Sequence, residues 1–88
     1  MTRYDGELEG LSIADVITEI LCKELGLEKK EIAPEDVLME YTEMDSLTKV
    51  EVLMEVEDAF GLSIPDEDAE GIKTVGELVS YVERNIAS

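Results

Sequence analysis

The sequence contains no histidine and no tryptophan, and only one cysteine among its 88 residues. Without imidazole the chain lacks the commonest general base, the commonest metal ligand and every Ser-His or Cys-His nucleophile arrangement. Cys22 has no second thiol to pair with, so no internal disulfide forms, and beside Leu21 it reads as a partly buried thiol rather than a nucleophile. Cations are also scarce: seven Lys+Arg stand against 23 Asp+Glu, a formal charge of −16. That balance argues against nucleic acid and anionic membrane partners, whose affinity is drawn from Lys and Arg. It favours partners that carry basic patches, met rapidly and in a salt-sensitive way. The bland reading of the same acids is that they keep a small domain soluble. No apolar run approaches the roughly 20 residues that cross a bilayer, and no basic segment followed by an apolar one opens the chain. The expectation is a cytoplasmic protein without membrane insertion.

Carboxylates are plentiful, but a working acid and base need a pocket that separates their pKa values, and one small bundle offers little room for it. No Walker-type or Rossmann-type glycine pattern is present, and Asp66-Glu67-Asp68 does not supply the alternating acids, glycine and terminal Glu of an EF-hand. The reading is therefore a protein that is not an enzyme and has no dedicated metal site, with loose divalent-cation binding by the acids between Asp45 and Asp58 the most that charge implies.

What is present is aliphatic and helical. Hydrophobic residues make up 44% of a chain with one Phe and three Tyr, enough for one core and one domain. Residues 1–11, with Gly6 and Gly10 and no sustained period, read as a weakly ordered extension ahead of a single domain over 12–88. Ile13, Val16, Ile17, Ile20, Leu21 and Leu25 then recur at helical spacing, with Ser12 and Asp15 at the start and Gly26 at the end. A long connection follows, in which Leu27, Ile32, Val37, Leu38 and Met39 are expected to dock on the core and Pro34-Glu35-Asp36 to open a short helical turn. A second helix is expected over Ser46 to Phe60, capped by Asp45 or Ser46 and stopped by Gly61. Pro65 at a first helical position, with three acids behind it and Gly71 as a stop, predicts a short helix. Thr74-Val75-Gly76-Glu77 is a capping box that opens a last helix carrying Val75, Leu78, Val79, Val82 and Ile86. The fold class expected is all-α: three main helices and one short helix, with a long connection between helices one and two, and no strands.

The second helix carries two apolar stripes. Val52, Leu53, Val56 and Phe60 form one, while Leu47, Val50 and Met54 form another, framed by Glu51, Glu55, Glu57 and Asp58. Either both stripes are buried between neighbouring helices, or the framed one faces a partner. At the head of this helix stands Asp45-Ser46-Leu47. Such a triplet serves as a cap; equally, a phosphate esterified to Ser46 would lie beside unpaired backbone N–H groups and the positive end of the helix dipole.

At these residues the chain resembles the acyl carrier protein family, whose signature is Asp-Ser-Leu at the start of the second helix. The likeness continues through Val50-Glu51, Glu57, the run from Phe60 to Ala69, Ile72 and Thr74-Val75, and upstream through Leu25-Gly26-Leu27 and Glu31-Ile32, covering roughly Ile13 to Ile86. The resemblance implies that Ser46, between Asp45 and Leu47, receives 4′-phosphopantetheine from coenzyme A through a phosphopantetheinyl transferase. The thiol of that arm then holds acyl groups as thioesters for fatty-acid, polyketide or specialised lipid synthesis. It further implies that Leu47, Val50, Glu51, Met54, Glu55 and Asp58 dock onto basic patches of acyltransferases and condensing enzymes, that the carrier acts as a monomer, and that the acyl chain can tuck between the helices. An aminoacyl or peptidyl carrier and an unmodified acidic adaptor are the alternatives. Two departures stand out: Glu43-Met44 precedes Asp45 where the family has Gly-x, and Thr48-Lys49 follows Leu47 where housekeeping carriers commonly have an acid.

Overall fold

The computed structural model describes residues 12–86, so the reading of residues 1–11 as an extension lies outside the described residues. Four helices occur in order: α1 (Ile13–Leu25), α2 (Ser46–Phe60), α3 (Asp66–Gly71) and α4 (Val75–Ile86). Each main helix starts and stops where the side chains supply partners for its unpaired terminal groups. In α1, Ser12 Oγ accepts from the Asp15 N–H while the Asp15 carboxylate accepts from the Ser12 N–H, a reciprocal capping box. Gly26 ends α1 and Gly61 ends α2 in the left-handed region, at φ 69 and φ 66, where a Cβ would be strained. The Thr74 hydroxyl and Glu77 carboxylate cap α4 in the same reciprocal way at 3.1 Å, and Glu77 also takes the Lys73 N–H at 2.7 Å.

The core is wholly apolar among the described residues. Val16, Ile17, Ile20, Leu21 and Leu25 of α1 meet Val52, Leu53, Val56 and Ala59 of α2 and Val75, Leu78 and Val82 of α4. The connections add single anchors: Leu38 and Met44 from the long crossing, Ile64 and Ile72 on either side of α3. No residue of α3 itself is buried.

The long crossing departs from expectation in detail. Its helical turns are 3-10 turns at Lys29–Glu31 and Leu38–Glu40, not at Pro34. Pro34 instead sits at the second position of a β-turn closed by the Asp36 N–H on the Ala33 carbonyl at 3.0 Å, a place its fixed φ suits. Met39, expected inside, is 46% exposed, because the short turn that buries Leu38 points the next side chain outward. Pro65 lies one residue earlier than expected, as the N-cap of α3, and Gly71 is its last residue without a positive φ, Ile72 taking the cap.

The crossing is also sewn to the start of α4. Leu38 N–H bonds the Lys73 carbonyl at 2.8 Å, Val75 N–H the Asp36 carbonyl at 3.0 Å and Gly76 N–H the Pro34 carbonyl at 2.8 Å. Glycine lets this approach stay close at position 76: a Cβ there would stand 3.1 Å from the Pro34 carbonyl oxygen and push the crossing back by a few tenths of an ångström.

Candidate functional site

The loop before α2 is held from beneath. Met44 is buried at 7% exposure and its N–H bonds the Tyr41 carbonyl at 3.0 Å. The Tyr41 hydroxyl donates to Asp36 Oδ2 at 2.7 Å, the same oxygen that takes the Ala33 N–H at 2.9 Å. These two donors hold the Asp36 carboxyl below its ordinary range, with the Tyr41 bond the larger cause. Burial, and then Asp36, pushes the Tyr41 phenol well above its ordinary value. With Met44 drawn into the core, Glu43 and Met44 reach Asp45 without positive φ, so the glycine missing from this loop is not needed.

Asp45 is the N-cap of α2, extended at φ −135, and its Oδ1 accepts the Thr48 N–H at 2.8 Å. The backbone bond from Thr48, followed by its side chain, draws the Asp45 carboxyl below the usual carboxylate range. Because Asp45 performs the capping, Ser46 is released from it. Ser46 is the first helical residue, it is exposed, and among the described residues nothing hydrogen-bonds its hydroxyl. The first intrahelical bond runs from Lys49 N–H to the Asp45 carbonyl at 2.8 Å; the Thr48 N–H and, with a smaller effect, the Leu47 N–H are directed to the Asp45 carboxylate, and this end of α2 keeps positive dipole character. A phosphodiester on Ser46 therefore fits: it needs no buried space and adds an anion at the positive end of the helix dipole.

Beyond the serine, the two stripes separate. Val52 and Val56 are buried at 1% and 0%, whereas Leu47, Val50 and Met54 are 68%, 51% and 56% exposed, so the framed stripe is not packed between helices. Glu51 and Asp58 are exposed at its edges. Glu55 is turned toward α1, where its carboxylate pairs with Lys23, and Glu57 reaches the Ile64 N–H at 2.6 Å. The carboxyl–carboxyl hydrogen bond between Glu24 and Glu55 raises the Glu24 pKa. Lys49 turns away from the stripe: its Nζ donates to the carbonyls of Ala69 at 3.2 Å and Ile72 at 3.3 Å. Neither the Lys49 contact nor the inward Met44 is visible from local spacing; the Met44 position could have been suspected only as an apolar residue next to the cap. Cys22 is partly buried, as expected, and its thiol is pushed up by that burial. No group of three or more potential metal ligands occurs among the described residues, and no helix there is long and apolar enough to cross a membrane.

Comparison with known proteins agrees with this geometry. Residues 15–82 match the family model of the phosphopantetheine attachment site. An acyl carrier protein from Rubrobacter xylanophilus is 50% identical over 70 residues, covering 80% of this chain and 86% of that protein. The meromycolate extension acyl carrier protein of Mycobacterium tuberculosis is 41% identical over 72 residues, covering 82% of this chain but only 59% of that longer relative. Among solved structures, the acyl carrier protein of Enterococcus faecalis superposes with a TM-score of 0.72 at 32% identity, over 83% of this chain and 92% of that one. The all-α arrangement, the capped serine helix and these likenesses converge: the chain belongs to the acyl carrier protein family, carriers rather than enzymes, whose cofactor is phosphopantetheine.

Proposed function

We propose that Ser46 is the residue that takes the arm. One observation supports this above the others: Asp45 satisfies the helix end, so the Ser46 hydroxyl is exposed and without a structural duty. The bound arm supplies a thiol that holds acyl groups as thioesters. The work of this chain is to present that thiol: a tether rooted on a rigid helix end keeps the acyl group at high local concentration around a docked enzyme. Leu47, Val50 and Met54 form the docking strip, and the exposed Glu51 and Asp58 steer it onto basic patches of a phosphopantetheinyl transferase, acyltransferases and condensing enzymes. Glu55 contributes less to that steering because Lys23 already partners it. The likeness to a carrier named for meromycolate extension supports a role in elongating long acyl chains for specialised lipid synthesis. Loading takes place in the cytoplasm, where coenzyme A is at hand as donor, and the working domain is 12–88.

The test is incubation with coenzyme A and a broad-specificity phosphopantetheinyl transferase, read by intact mass. One arm should be added to the wild type and none to Ser46→Ala. Absence of any gain, or an equal gain in Ser46→Ala, overturns the assignment. Fatty-acyl loading by an acyltransferase, against aminoacyl loading by an adenylating enzyme, separates the acyl from the peptidyl carrier.

A further inference from the structure

Helices α2 and α3 are both acidic, and Lys49 is the one cation that either contains. Asp66, Glu67, Asp68 and Glu70 on α3 and Glu51, Glu55, Glu57 and Asp58 on α2 carry like charge, so any contact between the two helices is made against repulsion. α3 itself supplies little apolar packing, since none of its residues is buried and only Ala69 leans on the core, and its N-cap, Pro65, offers no side-chain bond. The segment is pinned at its near end by Ile64, buried and bonded through its N–H to Glu57. The far end is anchored by buried Ile72, and it is there that Lys49 adds its polar contact. Its ammonium has no carboxylate within salt-bridge distance among the described residues and is directed instead to the carbonyls of Ala69 and Ile72. A cation bonded to the last carbonyls of a helix satisfies orphan acceptors and opposes the negative end of the dipole. One further polar tie, from the Tyr81 hydroxyl to Asp68 Oδ2 at 2.8 Å, joins α3 to α4 rather than to α2.

We propose that Lys49 is a positioning residue: bonded to the Ala69 and Ile72 carbonyls, it holds acidic α3 against acidic α2 and fixes how the two helices stand beside Ser46. The contact also accounts for a lysine three residues past the serine in a chain otherwise built to be negative. It goes beyond the assignment of Ser46 and is tested without the arm, so either can fail alone.

The experiment is amide hydrogen exchange on the unmodified full chain, comparing wild type with Lys49→Met, Lys49→Arg and Tyr81→Phe. Methionine keeps the apolar stem and removes the donors and charge. Exchange at Ala69 and Ile72, whose N–H groups bond the Pro65 and Ala69 carbonyls, should rise roughly five- to twentyfold in Lys49→Met. Exchange at Val75 and Gly76, bonded to the long crossing, should stay within about twofold on the same scale. Lowering the salt should widen the increase in Lys49→Met, because unscreened acids then push α3 away. Lys49→Arg should restore slow exchange at Ala69 and Ile72, and Tyr81→Phe should loosen Asp68 without reproducing the salt dependence. Unchanged exchange at Ala69 and Ile72 in Lys49→Met, an equal rise at Val75 and Gly76, or no rescue by arginine would each overturn the proposal.

Discussion

Met54 and Val52 lie two residues apart on α2 and should fail in opposite ways when cut back to alanine. Fully burying a methionine side chain is worth about 1.5–3 kcal/mol. Met54 is 56% exposed in the free protein, so docking can bury only about half of it, and truncation should weaken binding by about 1 kcal/mol, roughly fivefold in Kd. The same change should leave Tm within a degree or two, since alanine is the better helix former and nothing in the core is lost. Val52 is 1% exposed and packs in the core. Val52→Ala should cost about 2 kcal/mol, a fall in Tm of roughly 8–16 °C for a domain this size, with Kd unchanged where the domain is still folded. The assay is fluorescence anisotropy of labelled carrier titrated with a basic-patched condensing enzyme, paired with thermal melts by circular dichroism. Equal losses of binding in both variants, or a Met54→Ala protein that melts early and docks normally, would refute the division of α2 into a packed and a docking face.

Other expectations are as direct. Charge reversal in Glu51→Lys should slow association with a basic partner and flatten its salt dependence while leaving the helical spectrum intact, measured by stopped-flow fluorescence across a salt series. Gly61→Ala and Gly71→Ala should shift Tm in opposite directions although neither new Cβ meets an atom within 4 Å. Gly61 sits at φ 66, where alanine costs about 1–2 kcal/mol, whereas Gly71 is ordinary helix, where alanine gains about 0.5–1 kcal/mol. Stability should peak in mildly acid solution. Asp36, Asp45 and Glu77 have folded-state pKa values below their unfolded ones, so their contribution is present above the ordinary carboxylate range near 4 and is lost as pH falls through the depressed values. Glu24 is raised, so it adds stability as pH falls through its raised folded value, and relief of the −16 charge acts the same way. A Tm that falls steadily from pH 8 to pH 5 would contradict this. Added salt or divalent cations at neutral pH should raise Tm by the same relief of repulsion, and a flat series would remove the idea.

Helix ends were legible in the sequence because each is a local event. Ser12 with Asp15, Thr74 with Glu77 and the two left-handed glycines at positions 26 and 61 announce themselves within four residues, and the structure places the boundaries of α1, α2 and α4 there. The exposure of the serine was legible for the same reason, whereas the choice of Asp45 over Ser46 as the cap was settled only by the structure. The crossing was not, because a segment without a repeat has no period to say which side chains turn inward: Met39 faces water and Met44 the core, with Tyr41 fixed through Asp36 between them. The partners of Glu55 and Lys49 were hidden as well, since Lys23 lies on α1 and the Ala69 and Ile72 carbonyls lie at the end of α3, twenty or more residues on from Lys49. Spacing along α2 shows that these charges flank a stripe but cannot tell which of them are already spoken for by another part of the chain.

The three main-chain bonds between the crossing and the head of α4 have a consequence for how the molecule comes apart. The carbonyls of Pro34 and Asp36 and the N–H of Leu38 bond groups at positions 73 to 76, so a chain clipped anywhere between α2 and α4 loses a tether rather than a module. No half of the domain should persist alone, and forming these distant pairings is a late, entropy-limited step that neither end can complete until the other has arrived.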